Sequence, residues 1–512
     1  MKRIIKGLFL IAGMNVFSLH AMNDLYYNKS GQAFDDMINP IELCHHFFDS
    51  LFEFNYFCVN HHDATKADYD RDLGCNGSTL LTPFFMNTLL VKILALYERE
   101  LCLPSQKGWV QERPPQSSFF WKNDALYGQA CVIPSAARII AMGDYHGSVH
   151  SFARNVMHLY FNGLIDKNGI LANDVYVVIS GDLADRGHYG VECWALALAL
   201  KLKNSERVII LQGNHENGMM HQAYGFQAEL ESKYSHGVAS LFSDILFPRL
   251  FKQLPQVCFI GRQSALTQEI AFVAFCHAGI PVCDETNNKI IKSSQENIDL
   301  RPLLEFTVQQ PLQSSSYLFF PHGPRNNGLI WNGFYANMMS NASGIVRGSR
   351  GGDLLFHGRA ALRYFDSLGV PGVYKVTGLI RGHDHLSPGI RCLFPRLIEQ
   401  GIVSNDIYWV PIIYTLRGEE EDQDSENIKD LFFEEEHLGY PIFTITSMAE
   451  AYGTDAFGIV FYDDIRDGWQ IRPHIRRSPM LWCYHHYEKT CWKIKSDQKN
   501  KKFIAYDVRQ VG

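Results

Sequence analysis

From residue 137 to residue 463, short apolar runs alternate with Gly-Asp or Gly-Asn turns and with longer segments of helical periodicity. Runs rich in Val and Ile stand at Ala137–Met142 (ARIIAM), Asp174–Ser180 (DVYVVIS) and Arg207–Gln212 (RVIILQ), and each stops at a glycine. Similar runs follow at Glu269–Phe275, Tyr374–Ile380, Tyr440–Thr446 and Phe457–Asp463. β-Branched and aromatic side chains suit a pleated, buried surface, so these seven runs predict strands. Strands separated by helical segments predict an α/β domain of layered sheets. All but the last run lead into polar residues, and sites in α/β sheets gather beyond the carboxyl ends of strands. Ahead of this region, Thr82 to Leu103 predicts a helix, with Thr82 as N-cap and Pro83 in the first turn. Asn87, Thr88 and Lys92 interrupt its apolar character, which makes it an amphipathic helix rather than a membrane span.

Composition narrows the class. Of 512 residues, 46% are hydrophobic and 20% charged, as in a packed globular chain. The net charge of -7 supplies no basic face for phosphate backbones, so nucleic acid is excluded as the first partner. The opening stretch has Lys2, Arg3 and Lys6, then an apolar run from Gly7 to Leu19, then Ala21, which is the grammar of a cleaved secretory leader. That run is too short for a permanent anchor. The expected organisation is a leader over 1–21, a largely helical extension over 22–130, a catalytic domain over 131–465, and a C-terminal extension over 466–512. An acidic insertion at about 418–436 reads as a solvated surface loop. The twelve cysteines are an even set. Cys44, Cys58, Cys75, Cys102, Cys483 and Cys491 are the expected disulfide partners in an oxidising compartment, and Cys193 and Cys276 are expected to be buried thiols.

Five of the strand ends carry chemistry. GDYHG at 143–147 places Asp144 and His146 two residues apart in a tight turn, within reach of one metal ion. GDLADRG at 181–187 adds Asp182, a carboxylate able to bridge two divalent cations. GNHE at 213–216 offers the Asn214 amide oxygen and the His215 imidazole. His277 in CHAGI and His383 in RGHDH follow from two later strands. A single histidine at a strand end is usually structural, but five successive ends offering Asp, Asn or His read as a metal centre.

These motifs, in this order, resemble the phosphoprotein phosphatase family, Ser/Thr protein phosphatase-like, of the metallophosphoesterase superfamily. AYGFQAELESKY after GNHE, LIWNG at 329–333, RGGDLLF at 350–356 and ITSMAEAY at 445–452 extend the resemblance, which covers about 137 to 463. It implies a metallophosphoesterase-like sandwich of layered β-sheets flanked by helices. It also implies two divalent metal ions, manganese first, with iron or zinc as alternatives. One ion would take Asp144, His146 and Asp182, the other Asp182, Asn214, His277 and His383. A hydroxide bridging the ions would attack phosphorus directly. His215, oriented by Asp185, would protonate the leaving group. Arg186 and Arg350 would hold the phosphate oxygens, with Asn214 and Tyr452 also on the phosphate side. Arg347 is the rival to Arg350.

The chain also departs from the family pattern. Asn332 replaces the aspartate usual after the leucine-tryptophan segment, one extra residue precedes Tyr452, and RGHDH ends in His385, a candidate seventh ligand. The implied activity is dephosphorylation of phosphoserine and phosphothreonine proteins, with phosphotyrosine as a wider option, by an enzyme exported to the periplasm or to another cell. The alternative is a phosphohydrolase of small molecules such as dinucleoside polyphosphates, against which DRG and GNHE weigh. A scaffold without turnover would have lost a ligand or the acid, and neither is lost.

Overall fold

The expected strands pair into two facing sheets. In the computed structural model the described residues are 39–45, 81–102, 109–111, 126–280, 328–334, 345–347, 353–356, 361–362, 364–365, 369, 371–384, 389–393, 431–432, 440, 442–447, 454–465, 467–477, 492–497 and 502–507. One sheet centres on three parallel strands, β3 (Arg138–Met142), β4 (Val175–Ile179) and β5 (Val208–Ile210). β15 (Thr454–Asp463) and β16 (Gly468–Arg477) extend it antiparallel on the β3 side, and the short β13 (Leu431–Phe432) pairs with β16 at the edge. The seven-stranded sheet runs β1-β2-β6-β7-β11-β14-β12, where β1 is Trp109–Gln111, β2 Leu126–Val132, β6 Val257–Gln263 and β7 Ile270–Cys276. Its remaining strands are β11 (Tyr374–Arg381), β12 (Gly389–Leu393) and β14 (Ile442–Thr446).

Period-two alternation sorts the side chains into three cores. Ile139 and Ala141 of β3 face the other sheet, where they share a core with Ile260, Val273, Phe443 and Ile445. Their neighbours Ile140 and Met142 face helices instead. Trp469 of β16, fully buried, joins the sheets by donating from its indole N–H to the Ala271 carbonyl at 2.8 Å. Helix α1 (Pro83–Cys102) lies outside the first sheet with α2 (Val149–Phe161) and α3 (Gly190–Lys203). Thr82 caps α1, its hydroxyl accepting the Phe85 N–H at 3.2 Å. Met86, Leu89, Leu90, Ile93 and Tyr97 bury the helix in the same core as Trp194, and Lys201 of α3 pairs with Glu100 at 3.4 Å. Among the described residues no helix is long and apolar enough to cross a membrane.

Three features differ from the sequence expectation. The sheets run past both expected domain edges, since β2 begins before residue 131 and β16 lies wholly beyond 465. The acidic insertion is more than a solvated loop, because Leu431 and Phe432 return to pair with Ile471 and Gln470. Cys44, expected in a disulfide, is a buried free thiol in the α1 core, and Cys193 and Cys276 are buried as expected. Cys58, Cys75, Cys483 and Cys491 lie outside the described residues, as do the leader and the Cys102 side chain.

Candidate metal and catalytic site

Parallel strands in both sheets end at one place. β3, β4 and β5 bring the loops 143–147, 181–187 and 213–216, and β7 and β11 bring His277 and His383. The loops are tied by backbone bonds: Asp144 N–H donates to Gly181 O (3.2 Å), His146 N–H to Asp182 O (2.8 Å), and Gly382 N–H to His277 O (2.9 Å). A Cβ on Gly213 would sit 2.2 Å from Asp182 Oδ1, so the close approach of the β4 and β5 loops requires glycine there. Eight described non-glycine residues have positive φ, and six of them are Asp144, His146, Asp182, Asp185, Arg186 and His383. Left-handed backbone on such residues is strained by about 1–3 kcal/mol each and persists only where surroundings fix it.

Asp182 is the centre. Its Oδ1 accepts the His215 N–H at 2.9 Å. Its Oδ2 has no hydrogen-bond donor among the described residues, yet lies 3.3 Å from His146 Nε2 and 3.2 Å from His277 Nε2. The other nitrogen of each imidazole faces a carbonyl: His146 Nδ1 to Ala184 O at 3.1 Å, His277 Nδ1 to Ser180 O at 2.8 Å. Those carbonyls put the ring protons on Nδ1 and aim both Nε2 lone pairs at the carboxylate oxygen. That is how outer partners orient metal-binding histidines. Asn214 Oδ1 lies 2.9 Å from His277 Nε2 and 3.0 Å from His383 Nδ1, and Asp144 Oδ1 lies 3.7 Å from His146 Nε2. Two groups of donor atoms, each within 4.8 Å, therefore share Asp182: His146, Asp182 and His215, and Asp182, His277 and His383. Buried carboxylate, amide and imidazole groups converging on one carboxylate fit a pair of divalent cations.

Electrostatics agree with this concentration of charge. Burial raises the Asp144 carboxyl and Asp182 raises it further, to about 7 against the pull of His277. Burial also opposes ionisation of Asp182, but His277, His215 and His146 hold its pKa well below the usual range. Burial and the Arg186 charge lower His146 to about 3. At His277 burial is overridden by Asp182 and Asp144, which raise it to about 9.

Beside the cluster, His215 Nδ1 is 2.7 Å from Asp185 Oδ2, and Asp185 Oδ1 accepts the Phe226 N–H at 2.9 Å. His215 Nε2 is thereby left facing the Arg186 guanidinium, 3.3 Å away. Tyr224 lies edge-on to His215, with ring centroids 4.9 Å apart, and its carbonyl accepts the Arg186 N–H at 3.0 Å. The structure thus brings together Asp144, His146, Asp182, Asp185, Arg186, Asn214, His215, His277 and His383. Arg350, Tyr452 and His385 lie outside the described residues, and so does the Arg347 side chain.

Three residues given no positive role by the sequence stand behind these groups. Glu216, the last letter of GNHE, accepts the N–H groups of Asp182 (2.8 Å), Gly213 (2.7 Å) and Leu183 (3.2 Å), stapling the β4 loop to the β5 loop. Burial and Asp182 push its carboxyl up to about 7. Asn332, the departure from the family pattern, is buried. Its Nδ2 donates to Ile280 O at 2.8 Å and its Oδ1 accepts the Leu354 N–H at 3.0 Å. The amide fills both roles where an ionised carboxylate could only accept, and the arrangement sets Trp331 6.1 Å from the His383 ring. Arg381 donates to Ala278 O at 3.1 Å and covers the Phe334 ring.

Residues 137–387 match the calcineurin-like phosphoesterase family. That span of the chain is similar to the family's phosphoesterase domain. The matched span holds every metal-site residue described above. One relative, the serine/threonine-protein phosphatase 6 catalytic subunit of Caenorhabditis elegans, is 35% identical to this chain over 114 residues. That stretch is 22% of this chain and spans 31% of the relative's length. Among solved structures, a protein serine/threonine phosphatase from Saccharomyces cerevisiae, described as similar to human phosphatase PP5, aligns at 14% identity and a TM-score of 0.43. It covers 78% of this chain and 91% of its own. A cold-active protein-tyrosine phosphatase of a Shewanella species aligns at 19% identity and a TM-score of 0.23, covering 34% of this chain and 52% of its own.

Proposed function

We propose that this chain is a metal-dependent protein phosphatase that hydrolyses phosphoserine and phosphothreonine esters. One observation carries the reading: the Asp182 carboxylate lies between two imidazole-bearing clusters, with the His215–Asp185 pair and Arg186 on their rim. Asp144, His146 and Asp182 would hold one cation, and Asp182, Asn214, His277 and His383 the other. Two such ions would supply Lewis acidity toward the phosphoryl oxygens and an activated water. The chain's own groups do the rest. Asp185 holds the His215 Nδ1 proton, so the imidazole presents Nε2 toward a leaving oxygen and can protonate it there. Arg186, exposed and adjacent to Nε2, offers its guanidinium fork to phosphate oxygens.

We take the ions to be manganese, since Asp, Asn and His donors suit it as well as iron or zinc and availability decides. We also take residues 1–21 as a cleaved leader that exports the enzyme to phosphoproteins outside its own cytoplasm. The support is the basic, apolar and small-residue order of that stretch. A host-cell pull-down with the Asp182→Asn protein tests this, and recovery of no phosphoprotein counts against it. The activity itself is tested with phosphoserine, phosphothreonine and phosphotyrosine peptides beside dinucleoside polyphosphates, all in manganese. Peptide turnover is expected; turnover of the nucleotides alone would replace this reading with a small-molecule phosphohydrolase.

A further inference from the structure

The segment 185–190 bears Asp185 and Arg186, both held at positive φ (71° and 66°), and it leads directly into α3. Strain of that kind relaxes unless neighbouring bonds fix the backbone on both sides. Upstream, Asp185 receives the Phe226 N–H and Arg186 donates its N–H to Tyr224 O. Downstream, the bonds come from the helix Phe226–Lys233. Glu229 Oε2 accepts the Gly190 N–H at 3.0 Å and Oε1 accepts the Val191 N–H at 2.9 Å, so this carboxylate caps α3 from another helix. Lys233 Nζ donates to His188 O at 2.8 Å, to Glu229 Oε1 at 2.7 Å and to Glu192 Oε2 at 2.6 Å. Lys233 also lies over the Tyr189 ring at 5.2 Å. The side chains of Glu229 and Lys233 are 6% and 9% exposed, so these bonds form away from competing water. Burial alone would lower the Lys233 pKa, but Glu192 and Glu229 more than reverse this and keep it charged.

We propose that Glu229 and Lys233 are positioning residues for the acid pair: they clamp residues 188–191, and through that anchor they fix Asp185 against His215 and Arg186 beside it. The inference rests on the phosphatase reading for its kinetic consequence, though its geometric core stands apart. An ion pair that only packed two helices would need no bonds to the His188 carbonyl or to the Gly190 and Val191 amides. A side chain at Gly190 would meet Glu229 Oε2 at 2.9 Å, so the clamp also accounts for glycine there.

The test uses the full chain in manganese with Lys233→Met, Glu229→Gln and the conservative Lys233→Arg. A mispositioned acid harms an alkoxide leaving group far more than a nitrophenolate. Lys233→Met should therefore lower kcat on a phosphoserine peptide by at least about tenfold and on p-nitrophenyl phosphate by less than about threefold. Bound manganese should be unchanged, KM should rise to the same extent on both esters as Arg186 loosens with the anchor, and Lys233→Arg should stay within about threefold of the parent on both esters. In protein loaded with diamagnetic zinc in place of manganese, the hydrogen-bonded His215 Nδ1 proton, identified in the NMR spectrum by its loss in His215→Gln, should shift or broaden in Lys233→Met. Equal losses on both esters, or an unmoved proton resonance, would overturn the proposal. If Lys233→Met does not fold, Glu229→Gln decides by the same criteria. A parent protein that hydrolyses neither ester refutes the phosphatase reading alone, because the proton resonance still decides whether the clamp sets the pair.

Discussion

Asn332→Asp restores the residue that the resembled family carries, yet the structure predicts that it weakens the fold. The Asn332 amide has a fixed orientation, with Oδ1 opposite the Leu354 N–H at 3.0 Å and Nδ2 opposite the Ile280 carbonyl at 2.8 Å. The residue is 4% exposed, so water cannot substitute for either partner. A carboxylate keeps the first bond and loses the second, a loss of about 1 kcal/mol net. The Ile280 carbonyl is then buried without a donor, which costs about 1–3 kcal/mol. The new charge, with one N–H for solvation, brings the total to about 3–5 kcal/mol. Urea unfolding at pH 8 should show this as a lower midpoint at an unchanged slope. At pH 5 the deficit should shrink, because burial raises the pKa of the introduced carboxyl and its protonated form can donate to Ile280 O as the amide does. Phosphatase activity should fall as well, since the same turn sets Trp331 against the His383 ring. Equal midpoints at pH 8 would refute the reasoning.

Asp182→Asn should abolish turnover and lower metal content while circular dichroism stays that of the parent, because the amide oxygen still accepts the His215 N–H; full activity would sink the shared-ligand mechanism. His215→Ala should keep its metal and lose about 10²–10⁴-fold in kcat, most for alkoxide leaving groups, as read by a series of aryl and alkyl phosphates. Glu216→Gln turns one acceptor oxygen into a donor facing the Leu183 N–H, so denaturant unfolding should show a loss of about 2–4 kcal/mol with lower metal occupancy.

The strand ends were legible because each buried run stops at a glycine followed by a polar residue, a change of pattern local in sequence. His383 was legible for the same reason, as it directly follows Gly382, and His277 because it directly follows the buried β7 run at Cys276. What could not be read depends on partners far along the chain. Glu216 finds its amides 33 and 34 residues upstream, and Glu229 finds Gly190 and Val191 39 and 38 residues away. β6 went unassigned although its first five residues are buried, since a short apolar run without alternation does not announce its pairing. β16 was hidden by Pro473, which lies opposite Gly458 in the β15 ladder. The cysteine reading followed compartment logic, whereas Cys44 had gone into the α1 core as a small apolar side chain.

The proposed activity depends on two ions that share Asp182. The most direct measurement strips the protein with chelator, returns manganese in steps, and follows both bound metal and release of phosphate from a phosphothreonine peptide. The stripped protein should show no turnover, each chain should bind two manganese ions, and activity should appear as the second is taken up. Turnover that persists in chelator, or an intact peptide with two ions bound, would contradict it.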